Sequence, residues 1–163
     1  MAKHRRQLSL FLPVTEGAVV ESTRRTLDPL QHSLIPAHVT LCRDSEIEPW
    51  HQLRNRLAAL THVDVTLSFG SPTRLPDGCV LLPVVGSTAS YDNLRRTLLG
   101  DRCNKHSPHI TLLHPRNAHG RADDLLALST ASFPTKVRFT EISAIEQIDG
   151  GVWSVVERFG VGF

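Results

Sequence analysis

The sequence predicts one two-lobed domain of mixed helices and strands, built from two similar halves. Three observations carry this expectation. The 163-residue chain is 40% hydrophobic and 21% charged, which is enough for one core and cramped for two independent domains. Its hydrophobic pattern reads strand-helix-strand-helix-strand twice, with one extra strand at the end. Three blocks also recur in order. Leu10–Val14 resembles Val80–Val84 at an offset of 70 residues, and His38-Val39-Thr40-Leu41 resembles His109-Ile110-Thr111-Leu112 at 71. Val63-Asp64-Val65-Thr66 resembles Val137-Arg138-Phe139-Thr140 at 74. Two copies make a lobed domain rather than a solenoid.

The elements follow in order. The apolar run Gln7–Val14 reads as a strand. Residues 15–28 read as a helix with Thr15 as its N-cap, disturbed at Asp28-Pro29. His38–Arg43 is a short strand. Pro49–Leu60 is a helix, with Trp50, Leu53, Leu57 and Leu60 on one stripe. Val63–Phe69 alternates as a half-buried strand does. Ser71–Gly78 connects the halves. Cys79–Val85 is a strand, and Thr88–Leu99 a helix that Gly100 ends. His109–Leu113 is a strand and residues 121–131 a helix. Lys136–Ile148 reads as one long strand, bulged near Ile142 where its alternation changes phase. Val152–Phe159 is the last strand. The halves are therefore about 7–70 and 79–148, with 152–159 appended, in one domain spanning 1–163.

Composition narrows the function. A net charge of +2 is weak for a protein that wraps long duplex nucleic acid, but a small anionic substrate or an RNA end needs only a local basic pocket. Three cysteines, Cys42, Cys79 and Cys103, with no CxxC pair, argue against a disulfide framework and for a reducing, cytoplasmic setting. The run after Lys3-His4-Arg5-Arg6 is too short for a signal peptide, and no segment approaches transmembrane length.

The repeated His-x-Thr-Leu motif carries the chemistry. On a strand, alternate side chains share a face. His38 and Thr40, with Cys42, point one way, and Val39 and Leu41 anchor the other side. His109 and Thr111 repeat the arrangement. Breaking a phosphodiester needs a base for the nucleophile and an acid for the leaving oxygen, and histidine serves as either near neutral pH. The two hydroxyls suit the non-bridging phosphate oxygens. No cofactor is required. One His-x-Thr on a strand is usually without function. Two copies, matched in register within a repeat, are not explained by packing.

These paired motifs, with Pro36 and Pro108 before them, resemble those of the 2H phosphoesterases, the superfamily that includes bacterial 2′-5′ RNA ligases and RNA 2′,3′-cyclic phosphodiesterases. The resemblance spans nearly the whole chain. It implies a bilobal, pseudo-twofold α+β fold, with two antiparallel sheets around a central cleft and flanking helices. It implies that His38 and His109 are catalytic and that Thr40 and Thr111 bind phosphate there. Family members often carry a basic residue shortly after a motif. Arg43 matches after the first, whereas His114, with Arg116 beyond it, stands after the second, and all three are candidate substrate contacts. The expected substrate is an RNA 3′ end or a nucleotide bearing a 2′,3′-cyclic phosphate, handled by a monomer without metal. Alternatives are a cyclic phosphate derived from ADP-ribose, or a non-catalytic RNA or nucleotide binder.

Other features rank lower. His106, His109, His114 and His119 match no metal-binding spacing. Cys42 lacks an activating partner and reads as a small buried residue. Arg5, Arg6, Arg95, Arg96 and Arg102 read as solvated surface, and Phe11, Tyr91 and Trp153 as core rather than base-stacking platforms.

Overall fold

The structure, a computed structural model, describes residues 1–118, 128 and 131–160. The helix expected over 121–131 falls almost wholly outside them. The strands are β1 (His4–Phe11), β2 (His38–Cys42), β3 (Val65–Phe69), β4 (Thr73–Arg74), β5 (Val80–Val85), β6 (His109–Leu113), β7 (Lys136–Phe139), β8 (Ile142–Ile148) and β9 (Ser154–Phe159). The helices are α1 (Val14–Leu27), α2 (Pro29–Leu34), α3 (Trp50–Ala58) and α4 (Ala89–Leu99). The expected α+β class is what is seen.

Local departures have local causes. Helix α1 starts directly after Pro13, so Thr15 lies inside it and does not cap it. Asp28 does more than end α1. Its carboxylate accepts from the Gln31 N–H at 3.1 Å and starts α2, with Pro29 in the first turn. The connection after Ser71 holds the short strand β4, which pairs with β5.

All strand pairs are antiparallel, in the order β7-β3-β5-β6-β2-β1-β8-β9. This path reads the same from both ends under a pseudo-twofold axis between β2 and β6. The axis exchanges β1 with β5, and β3 with β8. The strands of the two lobes are joined by a single ladder pair, Val39 with Ile110. They form the two antiparallel halves expected around the cleft, continuous through this one pair as a curled sheet.

The topology corrects two expectations from the repeat. Strand β3 pairs directly with β7, so the third block is a pair of neighbours rather than a duplicated element. In β1 and β5, Phe11 lies opposite His38 and Pro83 opposite His109, which sets the structural offset two residues beyond the sequence match. The long strand at 136–148 is two strands. β7 pairs with β3 in one lobe and β8 with β1 in the other. The phase change near Ile142 marks the chain leaving one lobe for the other rather than a bulge.

The motif strands are held from behind. Leu8, Leu10, Val39, Leu41, Val80, Leu82, Ile110 and Leu112 are buried, each contributing about 1.5–3 kcal/mol by leaving water. Alternation then forces the odd-numbered neighbours of Leu8 and Leu10, and the His and Thr positions, to the opposite face.

Candidate active site

The single pair Val39–Ile110 fixes the site's register. One residue away on either side, in antiparallel strands, His38 comes opposite Thr111, and Thr40 opposite His109. Each imidazole thus sits beside the other motif's hydroxyl, and the two histidines are diagonal neighbours, roughly 7–8 Å apart at the backbone for such pairs. His38, Thr40 and Thr111 line one opening of the cleft, and Thr40 and His109 an adjoining one. All four residues are half-buried, on strands whose other face is core.

Both rings are held alike. His38 Nδ1 lies 2.7 Å from the Pro36 carbonyl and His109 Nδ1 lies 2.9 Å from that of Ser107. A carbonyl only accepts, so each Nδ1 carries the proton and each Nε2 is the nitrogen left for the cleft. Gln7 Nε2 donates to the Thr40 hydroxyl at 3.2 Å and to Ser9 Oγ at 2.8 Å.

The three candidate contacts exchange sides. Because β2 and β6 are antiparallel, the end of one lies by the start of the other. Arg43 therefore lines the opening that holds His109, while His114 and Arg116 line the one that holds His38. The His114 Nδ1 accepts from the Arg116 N–H at 3.1 Å. The buried Asp28 carboxylate accepts from the His114 N–H and from Asn117 Nδ2, each at 2.9 Å, so α2 clamps this turn.

Several side chains depart from the sequence reading. Arg95 is buried, not solvated. It donates to Glu46 Oε2 at 2.6 Å and to the Asn104 carbonyl at 2.9 Å. Arg24, 71 residues earlier, is also buried and donates to the Ile35 carbonyl at 2.9 Å. Each helix thus sends an arginine to the loop leading into its motif. Glu21 completes the first anchor by accepting from the Ala37 N–H at 2.6 Å. Trp153 is not core. It lines the cleft with Arg5, whose guanidinium stands 5.2 Å from its ring centroid. Arg6 stacks on Trp50 at 4.4 Å and bonds Glu146, while Arg96 and Arg102 are exposed as expected. Tyr91 is buried, and Phe11 meets His38 edge-on with centroids 6.1 Å apart. Cys42 is fully buried rather than in the cleft, and burial pushes its thiol up to about 12, which keeps it unreactive. Among the described residues, no group of three or more His, Cys, Asp or Glu is arranged to hold a metal ion; His119 lies outside them.

No family model and no curated protein matches the chain in sequence. Solved structures do match its backbone. E. coli LigT in apo form superposes with a TM-score of 0.68 at 16% identity, covering 99% of both chains. The chain is LigT-like in fold. LigT complexed with 3′-AMP gives 0.67 at 15% identity over 98% of this chain and 99% of that one. A structure described as a phosphoesterase gives 0.66 at 16% identity over 98% and 99%. The LigT-like arrangement agrees with the fold that the 2H resemblance implied.

The LigT-like cleft also sets proton affinities. Burial lowers His38 to about 4 against the pull of the Pro36 carbonyl, and Arg24 and His109 lower it further. His106 is likewise lowered to about 4, by burial, Arg43 and Arg95. Both are neutral at neutral pH. The unfolded chain, with ordinary imidazoles near 6.5, binds more protons between about pH 4 and 6.5, so stability falls as pH drops through that window. His38 contributes a slope approaching about 1.4 kcal/mol per pH unit, and the more solvent-screened His106 less. Urea melts of wild type and His38→Asn at pH 7.0 and 5.0 check this. The acid loss should be smaller in the variant, and an equal loss would contradict the burial of His38.

Proposed function

We propose that this chain is a metal-independent phosphodiesterase that opens 2′,3′-cyclic phosphates on RNA ends or nucleotides with water, and that forms a 2′-5′ linkage when a 5′-hydroxyl attacks in place of water. The observation that carries the reading is the crossed register, in which each imidazole stands beside the other motif's hydroxyl. A phosphate between the motifs would meet one Nε2 from each half and both hydroxyls. One imidazole, neutral, takes the proton of water, and the other, protonated, returns one to the departing ribose oxygen. The hydroxyls hold the non-bridging oxygens. Arg5, Arg43 and Arg116 at the cleft mouth suit an anionic ligand.

The LigT likeness supports a phosphoesterase or ligase class, and the LigT structures with 3′-AMP, NADP+ and ATP fit a nucleotide-sized ligand. Both motifs come from one chain, which suits a monomer. No described helix is long and apolar enough to cross a membrane, and three free cysteines suit the cytoplasm.

The test is turnover of a 2′,3′-cyclic mononucleotide and of a cyclic-phosphate-ended RNA, with end-group analysis, in EDTA. Activity should survive chelation, since imidazoles and hydroxyls supply proton transfer and charge stabilisation. Loss on chelation, restored by one divalent ion, would overturn the metal-free part. Binding without turnover would favour the non-catalytic alternative. Thr40→Ala and Thr111→Ala should each cost less than loss of either histidine, because proton transfer remains.

A further inference from the structure

The two ends of the cleft are not equivalent. The aromatic neighbour of His38 is Phe11, which has no hydrogen-bonding atom. The neighbour of His109 is another imidazole, His106, with ring centroids 6.1 Å apart and planes inclined by 33°. Both line the same opening with Thr40 and Arg43.

Hydrogen bonds fix which nitrogen His106 offers. The Tyr91 hydroxyl lies 2.8 Å from the Thr40 carbonyl and 2.8 Å from His106 Nδ1. The carbonyl only accepts, so the hydroxyl's one proton goes there, and the hydroxyl oxygen must accept from His106 Nδ1–H. The remaining nitrogen of neutral His106, Nε2, is a lone-pair acceptor. The positions 71 residues before Tyr91 and His106 are Val20 and Ile35, both buried and apolar. This relay therefore exists in only one half, on the His109 side.

We infer that His106 is a water-positioning residue, which accepts one hydrogen of the attacking water while His109 accepts the other. The inference rests on the hydrolytic reading above. A water oxygen that attacks phosphorus has two O–H groups, and two neutral imidazoles can take both and aim its lone pair. The water oxygen then bonds to phosphorus and the bond from phosphorus to one ribose oxygen breaks. One water proton passes to His109 Nε2. Protonated His38 gives its proton to the ribose oxygen, and the second water proton stays on the new phosphate oxygen. His38 holds its proton poorly in the free protein, and the bound phosphate anion favours the charged form it needs.

Competition between water and methanol tests this. Methanol has one O–H, which His109 takes, and makes no use of His106. Hydrolysis and methanolysis of a 2′,3′-cyclic mononucleotide are followed together in aqueous methanol. In His106→Ala, the ratio of hydrolysis to methanolysis should fall about 3- to 10-fold, the range for one orienting hydrogen bond. A structural role alone would lower both products together and leave the ratio unchanged, and that result would overturn the inference. Tyr91→Phe, which frees the His106 tautomer, should move the ratio the same way and decides the matter if His106→Ala does not fold. Wild type without any turnover would remove the hydrolytic reading itself. Wild-type turnover with an unmoved ratio would remove only the role of His106.

Discussion

His38→Ala and His109→Ala should each lower kcat on a 2′,3′-cyclic mononucleotide by about 10²–10⁴-fold, the usual contribution of a positioned proton-transfer group. The crossed register makes the effect specific to kcat. When one ring is removed, the phosphate still has both hydroxyls and the cleft arginines, so KM should change much less. The two losses should not multiply. Both histidines act in one displacement, so the double variant should fall far less than the product of the single effects. Steady-state kinetics of the two single variants and the double, with circular dichroism to confirm folding, would check this. A folded single variant with near wild-type kcat would refute the two-histidine mechanism, and His114, beside His38, would become the next candidate partner.

Glu46→Ala should destabilise the fold by about 3–5 kcal/mol, the cost of leaving a buried charge without its partner. Arg95 is 1% exposed. Burial works against the Glu46 carboxylate, yet the bonds from Arg95 and the Arg43 N–H hold it below the usual carboxylate range. Being lowered, its contribution is present above the unfolded value near 4.5 and is lost as pH falls below it. Arg95 also holds the Asn104 carbonyl, on the loop that carries His106 and leads to His109. The variant should therefore lose activity beyond its loss of stability. Urea unfolding at pH 7 measures the first effect, with Glu46→Gln, which keeps a hydrogen bond, expected between wild type and Ala. A loss under about 1 kcal/mol would place the pair among ordinary surface bridges.

Periodicity and repetition carried much of this in the sequence. Short-range physics explains why. Alternation on His38–Cys42 and His109–Leu113 already put each His and Thr on one face and the aliphatics on the other. The stripe Trp50, Leu53, Leu57 and Leu60 already gave a helix, and Gly100 already gave its end, where φ is +59°. Nothing local separates an arginine that spans a helix face into solvent from one that turns inward to a half-buried carboxylate 49 residues earlier, which is why Arg95 reads as surface in the sequence. Trp153 misled because core and cleft wall make the same demand for apolar area.

By itself, then, the sequence determined most of the described strands and helices and the two motifs, because these depend on neighbours within a few residues. Only the tertiary structure decided how the motifs face one another. It assigned β7 and β8 to different lobes, set Thr111 beside His38 and Thr40 beside His109, and moved Arg43 to the His109 end. It also joined Tyr91 and His106 to the Thr40 carbonyl. Each of these rests on strand register and on contacts between residues far apart in the chain, which no local pattern encodes.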